Sequence, residues 1–162
     1  MLIPDAYWAY LEDGSATALA ALHAQIKADP YFTEQAPWYP RAGDLLRQDR
    51  FDEVIDLLEE LMPGVFLCPE AHSMLGYAYE HLDEHERSRA QYTFAGSALA
   101  AIQSSGRGTR TAPWRVLRII DEYAQLRSRR IEPVSQRMTV AGGRRFDVHH
   151  GAGDAEYWFE LV

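Results

Sequence analysis

The spacing of apolar residues divides the chain into a helical front and a strand-rich end. Two helices are predicted at residues 5–12 and 15–29. In the second, Leu19, Leu22, His23 and Ile26 recur at helical spacing, Ser15 or Thr17 can cap it, and Asp29-Pro30 stops it. Pro37 and Pro40 around Trp38-Tyr39 predict a bounded turn. The pattern is clearest from Phe51 onward. Phe51, Val54, Ile55, Leu58 and Leu61 share one face of a helix that Pro63-Gly64 ends, and Asp52, Glu53, Asp56, Glu59 and Glu60 cover its solvated back. Residues 69–105 then predict two antiparallel helices. Small Gly76, Ala78, Ser88 and Ala95 alternate there with Tyr79, Tyr92 and Phe94, as closely packed helices require.

After Gln103 the period shifts toward two. Ser104 to Pro113 predicts a flexible loop, and strands are expected at Trp114–Ile119, Val134–Val140, Arg145–His150 and Glu156–Leu161, with a helix over Asp121–Arg130. Gly142-Gly143 is a hairpin turn signal, and Gly151–Asp154 joins the last two strands. Phe146 and Val148 alternate with Arg145, Asp147 and His149, which predicts a half-buried strand. Tyr157, Phe159 and Leu161 would share one face of the last one. The fold class expected is α+β: antiparallel helical hairpins at 1–105, then a small, mainly antiparallel sheet with one helix at 106–162, packed into one unit.

Charge sharpens this division. The net charge is −8, but residues 1–105 hold 6 basic and 17 acidic residues, net −11, while the remainder holds 10 and 7, net +3. The acidity disfavours nonspecific binding to nucleic acid and suits a basic partner. A single cysteine, Cys68, permits no internal disulfide and fits a reducing cytosol, so a cytoplasmic location is expected. The first residues make a poor signal peptide, and no apolar run is long enough for a membrane span.

Leu75, Gly76 and Tyr79, followed by Ser88, Tyr92, Ala95 and Leu99, resemble a tetratricopeptide repeat, a scaffold that grips other proteins. One period back, about 34 residues, Trp38, Leu45, Phe51, Val54, Leu58 and Leu61 fall near the same slots. The resemblance therefore implies about two units behind a degenerate helical start. Asp83 stands where the turn glycine belongs, and Val54 where one unit needs a small residue. From Pro69 onward the chain also resembles a bacterial domain family of unknown function, through Ser105, Gly106, Gly108, Val116, Glu122, Tyr123, Leu126, Gln136, Phe146, Asp147, Val148, Tyr157 and Phe159. It departs from that family at Arg107, where an aspartate is expected, and at Phe146, where a tyrosine is.

Chemical candidates are few. His81-Leu82-Asp83-Glu84-His85 matches the inverted zinc-protease pattern H-x-x-E-H, which would make a metal-dependent hydrolase. That chemistry needs one continuous helix, whereas the repeat reading puts a solvated turn there. His149 and His150 are adjacent in a strand, so they point to opposite faces, and a surface position is expected. The Gly106–Gly108 loop lacks a P-loop's lysine and following helix. Cys68 has no partner for nucleophilic chemistry and reads as a small buried hydrophobe. The ten arginines after residue 106, with Trp114, Tyr123 and Trp158 among them, are the argument for a nucleic-acid adaptor. No cofactor is expected. The favoured expectation is a non-enzymatic protein-interaction module, with a bacterial immunity protein that occludes a basic toxin as the specific form. The face around Trp38, Tyr39, Tyr77 and Gln91, rimmed by Asp52, Asp56 and Glu59, is the candidate partner-binding surface.

Overall fold

The computed structural model describes residues 1–162. Six helices come first: α1 (Asp5–Asp13), α2 (Ala16–Lys27), α3 (Trp38–Arg47), α4 (Phe51–Glu60), α5 (Pro69–His81) and α6 (His85–Ser104). Consecutive helices pair through short turns, α1 with α2, α3 with α4 and α5 with α6. Gly14, at φ 64°, ends α1 and returns its N–H to the Tyr10 carbonyl at 2.8 Å. Ser15 caps α2 by accepting the Ala18 N–H at 3.1 Å. Trp38-Tyr39 is not an isolated turn. With Pro40 in the first turn, where no amide partner is needed, α3 starts at Trp38.

The α3–α4 and α5–α6 turns repeat in register. Asp49 and Asp83 both take the left-handed conformation (φ 55° and 60°), which aspartate tolerates better than most residues. The Arg50 N–H reaches the Leu45 carbonyl at 3.0 Å, and the Glu84 N–H reaches the Tyr79 carbonyl at 2.9 Å. Each residue sits 34 positions from its counterpart. Gly76 shows why α5 and α6 need small residues, because a Cβ there would lie 2.8 Å from the Tyr92 ring. The faces these helices share bury one cluster that includes Leu22, Ile26, Val54, Leu58, Phe66, Leu75 and Tyr79. Truncating Leu58, fully buried, removes about 2–5 kcal/mol of stability by transfer and cavity terms together.

The remainder is β1 (Trp114–Val116), α7 (Ile119–Ser128), β2 (Ser135–Ala141), β3 (Arg144–His150) and β4 (Glu156–Leu161). The strand order is β1-β4-β3-β2, with β1 parallel to β4 and the other pairs antiparallel. The first strand is shorter than its pattern suggests. Leu117 turns into the helical core, and Arg118, fully buried, occupies the cap position of α7. The predicted loop follows Ser104 and is tied down by backbone hydrogen bonds. α6 runs to Ser104, the Arg107 N–H bonds to the Ala112 carbonyl at 2.8 Å, and the Trp158 N–H bonds to the Gly108 carbonyl at 2.9 Å. A Cβ on Gly106 would stand 2.0 Å from the Pro113 carbonyl oxygen, so only glycine lets the two backbones meet.

Both faces of the central strands are covered. On one, Trp114, Val116, Leu126, Phe159 and Leu161 pack with Ile102 of α6. On the other, Phe146, Val148 and Trp158 lie under arginine side chains: Arg110 and Arg137 over Trp158, at 5.6 and 5.5 Å, and Arg144 over Phe146, at 5.1 Å. The C-terminal part is tied to the helical part by Arg145 to Glu34 at 2.5 Å, Arg127 to Glu70, and Arg118 to the Gly64 carbonyl. No helix is long and apolar enough to cross a membrane.

Candidate functional site

Three places concentrate polar or exposed aromatic chemistry. The first is a groove of about 610 Å³ between α3 and α5, lined by Tyr39, Gly43, Leu46, Met74 and Tyr77, with Asp44, Arg47 and Asp49 along its edge. Tyr39 and Tyr77 are 36% and 43% exposed, high for such large apolar rings. The Tyr77 ring is held at 4.0 Å from His81, which also stacks on Phe51 at 4.7 Å. The remaining predicted partner-binding residues lie elsewhere. Trp38 is 6% exposed and belongs to the helical core. Gln91 is buried, and its Oε1 accepts the Nδ1–H of buried His72 at 2.7 Å. Glu59 accepts the Tyr79 hydroxyl at 2.5 Å. Asp52 and Asp56 are exposed one turn apart on α4, are not part of the groove's lining, and are in no ion pair.

The second is a sealed polar layer between α7 and the sheet. Glu122 and His149, both fully buried, meet at 2.7 Å. Asp147, also buried, accepts Gln136 Nε2 at 2.9 Å. Burial, reinforced by the Asp147 charge, pushes the Glu122 carboxyl up to about 9, while burial lowers His149. Burial thus favours the uncharged form of each of these two contacting groups. The expected surface position of His149 does not hold. Of the outward positions of β3, Asp147 and His149 are buried against α7, while Arg145 stays exposed.

The third is a pocket of about 390 Å³ enclosed by the α1–α2 hairpin, the end of α6 and β1. Tyr10, Leu19, Ala20 and Val162 give it an apolar wall, and His23, Lys27 and Arg115 reach it as well. Burial lowers His23 to about 4, helped by the positive charges of Arg115, Lys27 and Arg118. Its members come from residues 10–27, 104–115 and 162, so no local pattern could have grouped them.

The H-x-x-E-H residues are divided by the left-handed turn at Asp83. His81 is the last residue of α5 and His85 the first of α6. His81 Nδ1 donates to the Tyr77 carbonyl at 2.9 Å, and no group of three or more ligating side chains converges anywhere in the chain. Six of the ten late arginines, namely Arg115, Arg118, Arg127, Arg137, Arg144 and Arg145, face carboxylates within the molecule. Cys68 is buried, and burial raises its thiol well above the usual range, with the Asp121 charge adding to it.

By fold this is an α+β protein of paired helices followed by a four-stranded, mostly antiparallel mixed sheet with one helix. No family model, curated protein or solved structure matches the chain.

Proposed function

We propose that the protein is a non-enzymatic binding module that receives a basic partner protein in the α3–α5 groove. One observation carries this reading: Tyr39 and Tyr77, two solvent-facing aromatic rings, share a single apolar concavity with Met74 and Leu46. Aromatic anchors in a partly enclosed groove are what interfaces use for affinity. Asp49 in its lining supplies negative charge that no ion pair within the molecule neutralises, in a helical half of net −11 that also exposes Asp52 and Asp56 on α4. Such charge selects a basic partner and speeds its approach. The closely coupled carboxyl and imidazole groups of the α7 layer support the same reading, because they are shut away from any substrate.

The specific form is an immunity protein that occludes a basic toxin in the cytoplasm of a bacterium. Titration calorimetry against a candidate basic toxin encoded next to this protein tests it, with Tyr39→Ala/Tyr77→Ala as the comparison. Saturable binding that the double variant weakens at least tenfold supports the proposal. A complex unaffected by the double variant moves the interface elsewhere, and no complex removes the immunity role.

A further inference from the structure

We infer that the pocket between α2, α6 and β1 is a binding site for a small organic anion with an apolar body. This is independent of the groove. Along α2, Ala16, Leu19, Ala20 and Ala24 fall on one face and, with Tyr10 and Val162, make the apolar part of the lining. At the same wall stand Lys27, Arg115 and the His23 imidazole. The lining contains no aspartate or glutamate, although acids outnumber bases 24 to 16 in the chain.

The cations also have capacity to spare. Lys27 makes no ion pair within the molecule. Arg115 touches Glu160 only through Nε, at 3.3 Å, and that carboxylate is already held by Arg144 through two contacts at 2.5 Å. One carboxylate therefore faces two guanidinium groups, and the terminal nitrogens of Arg115 remain for a ligand. The hydroxyls are less available: Ser105 accepts the Arg115 N–H at 2.8 Å, and Ser104 meets Tyr10 at 3.3 Å. His23, whose ring nitrogens make no hydrogen bond within the protein, can donate one as a neutral imidazole. Lys27 and Arg115 at this wall supply the positive charge that draws an anion in. At about 390 Å³ the space is of the size that small-molecule sites occupy.

The test uses the full chain and 8-anilinonaphthalene-1-sulfonate, whose sulfonate and fused rings supply both features and whose fluorescence reports an apolar site. Its neutral counterpart is N-phenyl-1-naphthylamine. The expected result is one saturable sulfonate site, with the amine binding roughly tenfold more weakly, the ratio expected for losing a charged hydrogen bond. Lys27→Ala should weaken the sulfonate by a similar factor, and Ala20→Trp should abolish binding by filling the space, both with unchanged thermal melts. Tyr77→Ala, in the separate groove, should leave it untouched. Equal affinity for the two probes, no sulfonate binding, or binding that survives Ala20→Trp would each overturn the assignment.

Discussion

Arg118 is the residue whose removal tests the architecture most directly. It is fully buried, donates to the Gly64 carbonyl, stacks at 5.1 Å on Phe32, and lies 3.6 Å from the carboxylate of Asp121, itself 1% exposed. At 3.6 Å and an effective dielectric near 20, the attraction between the two charges is about 4.6 kcal/mol. Desolvating both groups offsets much of that, so the intact pair contributes little net stability. Removing one member is another matter. Arg118→Met leaves the Asp121 carboxylate buried without a counter-charge, and such a loss typically costs about 3–5 kcal/mol. For a chain of this size that corresponds to a fall of roughly 6–20 °C in Tm. Arg118→Met/Asp121→Asn removes both charges while the Asn oxygen still accepts the Arg118 backbone N–H, now held by the carboxylate at 3.1 Å. It should regain at least half of the loss. Urea titrations of the wild type, both single variants and the double variant give the coupling energy, expected to exceed about 2 kcal/mol. A single variant that loses less than about 1 kcal/mol, or additive effects in the double, would refute the account of a mutually dependent buried pair.

Stability should also follow pH in two opposing ways. His72, fully buried, has its pKa lowered to about 4, chiefly by burial, so the unfolded chain takes up a proton near the ordinary 6.5 while the folded one does not. Stability from this residue is complete above 6.5 and falls by about 3 kcal/mol as pH drops toward 4. NMR of the ring resonances should show it neutral at pH 5. Glu122 behaves in the reverse sense: its folded pKa is raised to about 9 from 4.5, so stability declines as pH rises through that interval. Urea midpoints of Glu122→Gln at pH 6 and pH 9 should differ less than those of the wild type, and an unchanged slope would count against a neutral Glu122. Gly106→Ala should lose about 1–3 kcal/mol or more by thermal melt, since its Cβ would fall 2.0 Å from the Pro113 oxygen. A melt like the wild type's would mean that the close approach there relaxes at no cost.

Local periodicity determined a good deal of this protein. The one-sided apolar face of α4, the small residues along α5 and α6, and the Gly142-Gly143 turn between β2 and β3 each encode an element through contacts within a few residues, so the α+β order was legible. The helical start of α3 was hidden, because proline marks a first turn as readily as a break. Alternation in β3 marked one buried face, but only the placement of α7 over the other decided that Asp147 and His149 are buried as well. The same holds for the candidate surface. Tyr39 and Tyr77 meet because α3 and α5 lie side by side, while the same packing draws Trp38 and Gln91 inward. A pattern along the chain records which side of an element is apolar. Which elements cover one another, and therefore which polar groups are sealed, which face a groove and which converge on a pocket, is set by contacts between residues tens of positions apart.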